Sequence, residues 1–190
     1  MNPGIFFDVE SLINFKDLSV LPGVMEGFEY YQPQIPRWLT IANYQPQSEV
    51  EAESLISQMD RILELLPLEA IYFCSDSQGL TCWRVTRSSA SEISNHERVI
   101  EYDDHDRFKF CKPGAGMILL ASVDFGIDLS KSWLISDSED EQQVAANAGV
   151  MYMDAETWRM RFRPGMYQIK AATREQILFL ESRNFSNDLN

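Results

Sequence analysis

Short apolar runs alternate along this chain with longer segments whose apolar residues recur at helical spacing, and that alternation leaves few architectures open. "GIFFDVE", "RWLTIAN", "EAIYFC", "SWLIS" and "VMYM" read as short buried strands. Between them, helices are predicted from "LPGVMEGFEYY", with Pro22 near the first turn, from "SEVEAESLISQMDRILELL", from "AGMILLASVDFG" and from "EDEQQVAANAG", with Gly149 at its C-terminal end. Ser48 is the expected N-cap of the second helix, with Glu51 completing a capping box. "TREQILFLESRN" is a last helix capped by Thr173. The rhythm is interrupted once: "LTCWRVTR" and "ERVIEYD" look like paired strands, with "SSASEISN" between them as an exposed turn. Strand and helix in regular succession imply an α/β fold, a three-layer Rossmann-like arrangement with a mostly parallel sheet covered on both faces. In such sheets ligands sit beyond the carboxyl ends of the strands.

At 190 residues the chain suits one domain, 1–190, with a small cap-like insertion over about 78–107. A formal net charge of −13 disfavours nucleic-acid or anionic-membrane binding, because the field of the whole molecule repels phosphates. No apolar run reaches the roughly 20 residues of a membrane span, and no basic region precedes "GIFF", so a cytoplasmic protein is expected. Cys74, Cys82 and Cys111 are spaced for no metal motif and read as small apolar groups or free thiols.

Two aspartates stand at predicted strand ends: Asp8 after "IFF" and Asp137 after "WLIS". Convergent carboxylates on one rim make a hard-oxygen site suited to Mg²⁺ and a substrate phosphate. Lys112, in the turn "CKPGAGM" ahead of a helix, is the natural cationic complement. With metal and lysine offsetting charge, an aspartate could attack phosphorus and form an aspartyl-phosphate.

"FFDVESLINF" followed by "LPGV", then "WLTIANYQ", "IYFC", "CKPGAGMILLASVDFGIDLSKSWLISDSEDE" and "AANAGV" carry a resemblance over most of the chain. In this order they resemble the haloacid dehalogenase (HAD) superfamily, and within it the small phosphatases of histidinol phosphate and heptose bisphosphate, with polynucleotide 3′-phosphatases nearby. The resemblance implies Asp8 as nucleophile, Glu10 as general acid/base, Lys112 and Asn43 as phosphate-binding residues, Asp137 as metal ligand and Glu141 as the last acid of a GDxxxD-like loop behind it. It also implies Mg²⁺ held by Asp8, Asp137 and the main-chain carbonyl of Glu10.

The departures from the family pattern matter as much. Glu10 replaces an aspartate, and a displaced proton donor can cost roughly a hundredfold in rate. Ala42 stands where a hydroxyl would bond the phosphate, and Ser136 replaces a glycine. The zinc-ligand pairs of the heptose phosphatases fall on Cys74 with Asp76 and on Phe108 with Phe110, so no structural zinc is expected. Glu139 and Asp140 are read as acids complementing a helix N-terminus, and His96 and His105 as surface residues. Arg159, Arg161 and Arg163 in "RMRFR" would share one face of an extended strand. Trp83, Tyr102, Phe108 and Phe110 read as packing beneath the insertion. Three functions follow in order of preference. The first is a Mg²⁺-dependent phosphomonoester hydrolase of low activity, acting on a small phosphorylated substrate. The second is a catalytically degenerate binding or regulatory protein with a protein partner. The third is a nucleic-acid 3′-phosphatase, which would need Arg84, Arg87, Arg107 and Lys109 to form a local groove.

Overall fold

The computed structural model describes residues 2–31, 39–46, 50–95, 105–163 and 173–181. Its main sheet is built from β1 (Gly4–Asp8), β4 (Leu39–Tyr44), β5 (Ala70–Phe73), β6 (Thr81–Thr86), β7 (Ser89–Ser94), β8 (Trp133–Ser136) and β9 (Met151–Asp154), in the spatial order β7-β6-β5-β4-β1-β8-β9. The strands from β5 to β9 across the sheet run parallel, and β6 and β7 add an antiparallel edge. A separate two-stranded ribbon, β2 (Ile13–Asn14) with β3 (Ser19–Val20), follows β1 directly.

Seven helices accompany these strands: α1 (Val24–Tyr31), α2 (Ala52–Leu65), α3 (His105–Phe108), α4 (Gly116–Phe125), α5 (Glu139–Ala148), α6 (Ala155–Phe162) and α7 (Arg174–Glu181) among the described residues. Side chains alternate across the central strands, and both faces are covered, so the strands are apolar throughout. Ile5, Phe7, Ala42, Ile71 and Ile135 meet α1, α2, α6 and α7 in one apolar layer; Phe6, Ile41, Ala70, Tyr72 and Leu134 meet α4 and α5 in the other. Phe7 packs edge-on against Trp158 of α6 at 5.2 Å, and Trp133 stacks on Phe179 of α7 at 4.4 Å. Burying a side chain of Phe size contributes about 1.5–3 kcal/mol.

Local chemistry sets the helix ends. Gly149 adopts the left-handed conformation (φ 76°) that closes α5, its N–H reaching Ala145 O. Thr173 caps α7 as expected, its Oγ1 accepting from Gln176 N–H, and Gln176 Oε1 accepts from the Thr173 N–H in return.

Three expectations are corrected. Glu51 is itself the N-cap residue of α2 and makes no side-chain cap bond, so it does not complete a capping box; Ser48 lies outside the described residues. "SSASEISN" is not an exposed turn: Ser89–Ser94 is β7, paired with β6 over its whole length, with Ile93 opposite Cys82 and packed on the second apolar layer. The open edge of β6 overrides the weak strand propensity of serine, alanine and glutamate. The strand expected over 97–103 lies outside the described residues. "RMRFR" is not extended either, because Arg159–Phe162 complete α6. Asp154 caps that helix by accepting from Thr157 N–H at 2.7 Å, and Trp158 anchors its buried face.

Candidate active site at the carboxyl end of the sheet

Asp8 is the last residue of β1, the strand flanked by β4 and β8, and Asn43 lies beside it in register. Asp137 follows β8 on the same rim. Lys112 arrives from the loop before α4, where its backbone N–H donates to Gln45 Oε1 at 2.7 Å, just past β4. Glu141 is in the first turn of α5 and is fully buried.

These residues converge on the lysine. Lys112 Nζ lies 2.6 Å from Glu141 Oε1 and 3.3 Å from Asp8 Oδ1. Asn43 Nδ2 donates to the same Glu141 oxygen at 3.1 Å. Ser136 Oγ lies 3.5 Å from Asp8 Oδ2, and Ser11 Oγ donates to the Asp8 carbonyl at 2.6 Å. Burial alone would pull Lys112 down, yet Glu141 and Asp8 together hold its proton and raise it above the ordinary lysine value. Burial pushes Glu141 up; the lysine opposes that rise and Asp8 adds to it. Glu10, on the 3₁₀ turn Val9–Ser11, is raised by partial loss of solvent around its carboxyl and then by Asp8, with Lys112 opposing.

The cluster is short of donors. Asp8 and Glu141 share one ammonium, and Asn43 Oδ1 and Glu141 Oε2 accept no hydrogen bond although buried. Buried oxygens in that condition call for a partner. Hard carboxylate oxygens at one rim, Asp8 at the end of β1 and Asp137 after β8, are the donor type a divalent cation such as Mg²⁺ takes. Among the described residues no group of three or more His, Cys, Asp and Glu side chains is arranged to hold a metal by itself. A cation would therefore need main-chain or substrate oxygens as well.

Asp137 is placed differently from its four companions. Its Oδ1 accepts from Glu156 N–H at 2.9 Å and its Oδ2 pairs with Arg159 Nη1 at 2.9 Å, so both oxygens are engaged by α6. The structure brings Asp8, Asn43, Lys112 and Glu141 together in direct contact, with Glu10 close enough to feel Asp8 and Lys112, and gives Asp137 to Arg159. Ala42 is fully buried in the apolar layer that contains Phe7. Gln45 and Arg159 touch the site without any motif to announce them. Gln45 was readable only as the residue two places after Asn43, and Arg159 only as part of a basic run.

Outside the site, Arg84 pairs with Asp124, Arg87 donates to Leu66 O and Leu68 O, and Arg107 donates to Asn147 O; each guanidinium is directed at the protein itself. Cys74 and Cys82 are buried free thiols, and Cys74 Sγ bonds the Asp76 carbonyl. Residues 81–94 of the expected insertion extend the main sheet, and His96 lies outside the described residues.

No family model matches the sequence. The chain is 26% identical over 149 residues to a D-glycero-alpha-D-manno-heptose-1,7-bisphosphate 7-phosphatase of Burkholderia mallei, an alignment covering 77% of this chain and 68% of the relative. A Mesorhizobium loti protein whose crystal structure is described as that of a HAD-like phosphatase superposes with a TM-score of 0.55 at 16% identity, covering 78% of this chain and 69% of that one. The fold is therefore the HAD-like one, and the resemblance noted in the motifs extends to a curated phosphatase.

Proposed function

We propose that this chain, built on a HAD-like fold, hydrolyses small phosphomonoesters through Asp8. The observation that carries the reading is the buried Lys112 ammonium set between Asp8 and Glu141, at the carboxyl end of a central parallel strand. A carboxylate nucleophile and a cation at its side are what phosphoryl transfer requires, since the work is positioning and charge stabilisation.

In this reading an Asp8 oxygen attacks phosphorus, the ester P–O bond breaks, and Glu10 protonates the departing oxygen. Water, deprotonated by Glu10, then attacks the aspartyl-phosphate and releases phosphate and free Asp8. The raised Glu10 carboxyl suits the first of these steps, because the proton must be present when the leaving group departs. Lys112 offsets charge on the phosphoryl oxygens while Glu141, fixed by Asn43, holds the ammonium in place. Asn43 as found acts through Glu141, to which its Nδ2 donates. Asp8, Asp137 and the Glu10 carbonyl would hold Mg²⁺, which when bound would draw charge from the transferring group. The buried thiols of Cys74 and Cys82 suit a reducing compartment, so we place the protein in the cytoplasm.

A second reading, a binding protein that has lost efficient chemistry, is favoured by one observation: both Asp137 oxygens are already engaged. One assay separates the two. Release of nitrophenol from p-nitrophenyl phosphate in Mg²⁺ should be measurable for the natural chain and lost in Asp8→Asn; equal background rates from both proteins would remove the enzyme and leave the binding protein.

A further inference from the structure

Asp137 is occupied by a cation that belongs to the chain. Arg159 Nη1 sits 2.9 Å from Asp137 Oδ2 and 2.7 Å from the Ser11 carbonyl, so one guanidinium nitrogen bridges the turn after β1 and the turn after β8. Those two turns carry Glu10 and Asp137, and the first follows directly on Asp8, the last residue of β1. The arginine is held from α6, whose first turn supplies the Glu156 N–H to the other Asp137 oxygen. With both oxygens engaged by one helix, Asp137 serves as an accessory cap of α6 in the state described, and its charge is already paired.

We propose that Arg159 is an internal competitor for the divalent cation: the Arg159–Asp137 pair must open before Asp137 can join Asp8 in binding metal. The proposal rests on the reading of Asp8 and Asp137 as the metal pair. Its physical content is a population argument. Metal binds the fraction of molecules in which Asp137 is released, and the measured dissociation constant is the intrinsic one divided by that fraction. The pair opens from the Asp137 side, whose side chain is 44% exposed, while Arg159, 16% exposed, stays on the Ser11 carbonyl. Ion pairs with one wet partner are weak, so the competition lowers metal affinity roughly twofold to fivefold and does not abolish it.

The test uses Mn²⁺ as the probe, with free ion counted by electron paramagnetic resonance as each full-length protein is titrated, and no turnover needed. Arg159→Met should bind Mn²⁺ roughly twofold to fivefold more tightly than the natural chain. Adding Asp137→Asn should erase that gain. If Arg159→Met binds as the natural chain does while Asp137→Asn binds less tightly, the competition is overturned and the metal pair stands. If Asp137→Asn alone leaves binding unchanged, the metal pair itself falls, and the competition with it. Thermal melts accompany each titration. Should Arg159→Met fail to fold, Arg159→Lys, which keeps the charge with a single flexible donor, is expected to tighten binding about twofold, and an unchanged constant there overturns the proposal.

Discussion

Lys112 is held by charge more than by packing, and its removal tests what the buried carboxylates require. In Lys112→Met, Asp8 and Glu141 would face each other unpaired in a site where Glu141 is fully buried. Breaking a buried pair from one side costs about 3–5 kcal/mol. The loss should depend on pH with a definite sign. Burial and Asp8 raise Glu141 while Lys112 opposes the rise, so without the lysine its folded-state value lies further above the unfolded one. Proton uptake then favours the folded form: stability is fully present below the ordinary glutamate value and is lost as pH rises through the raised one. Melting temperatures at pH 5 and pH 8 check this. The variant should recover part of its deficit at the lower pH, and a deficit equal at both would show that the carboxylates are not coupled through the lysine. Phosphatase rate should fall roughly a hundredfold or more in the same variant.

The elements that position these residues were legible in the sequence to different degrees. Strands β1, β4, β5, β8 and β9 and helices α2, α4 and α5 follow from apolar runs and helical spacing, because burial on two faces or on one stripe leaves that imprint. Asp8, Lys112 and Glu141 could be grouped from motif order, and in the fold the lysine lies 3.3 Å from the first and 2.6 Å from the second carboxylate. β7 was hidden because its serines gain strand structure from the neighbouring edge. Helix α6 was misread because three arginines at alternate positions mimic a strand face, whereas Ala155, Trp158 and Phe162 carry the helical stripe. The engagement of Asp137 by Arg159 leaves no local pattern, since the two lie on different elements. The loop between β5 and β6 was equally silent, and it braces the lysine. Gly79 has φ +72°, accepts from Phe110 N–H at 2.8 Å, and sits where a Cβ would lie 2.5 Å from Cys111 Sγ and 2.8 Å from Cys111 N. Gly79→Ala is therefore strained twice over, by conformation and by contact with backbone, and the displaced atoms adjoin Lys112. It should lower stability by at least about 1 kcal/mol, seen as a drop of roughly 2–4 °C in Tm for a chain of this size. Activity should fall with it, while a matched substitution at Gly126, where a Cβ meets nothing, should leave activity unchanged.

At the scale of the whole molecule, the charge of −13 and the chemistry of the site pull in opposite directions. A phosphomonoester is an anion, and the surrounding field repels it until it is close enough to meet Lys112; a divalent cation is drawn in by the same field. Screening separates the long-range term from the local one, because the Debye length shrinks from about 30 Å at 0.01 M salt to about 10 Å at 0.1 M. Contacts of 2.6 and 3.3 Å around Lys112 lie well inside either length and are hardly screened. With the cation held at saturation, kcat/KM for p-nitrophenyl phosphate should therefore rise severalfold over that salt range, while kcat, which starts from bound substrate, changes little. A fall in kcat/KM would mean that a local basic field at the mouth outweighs the global charge. Such a field would favour a polyanionic substrate, and Arg84, Arg87 and Arg107, now directed at Asp124 and at main-chain carbonyls, would have to turn outward to supply it. The salt dependence therefore distinguishes a small phosphate ester from a nucleic-acid end before either substrate is identified.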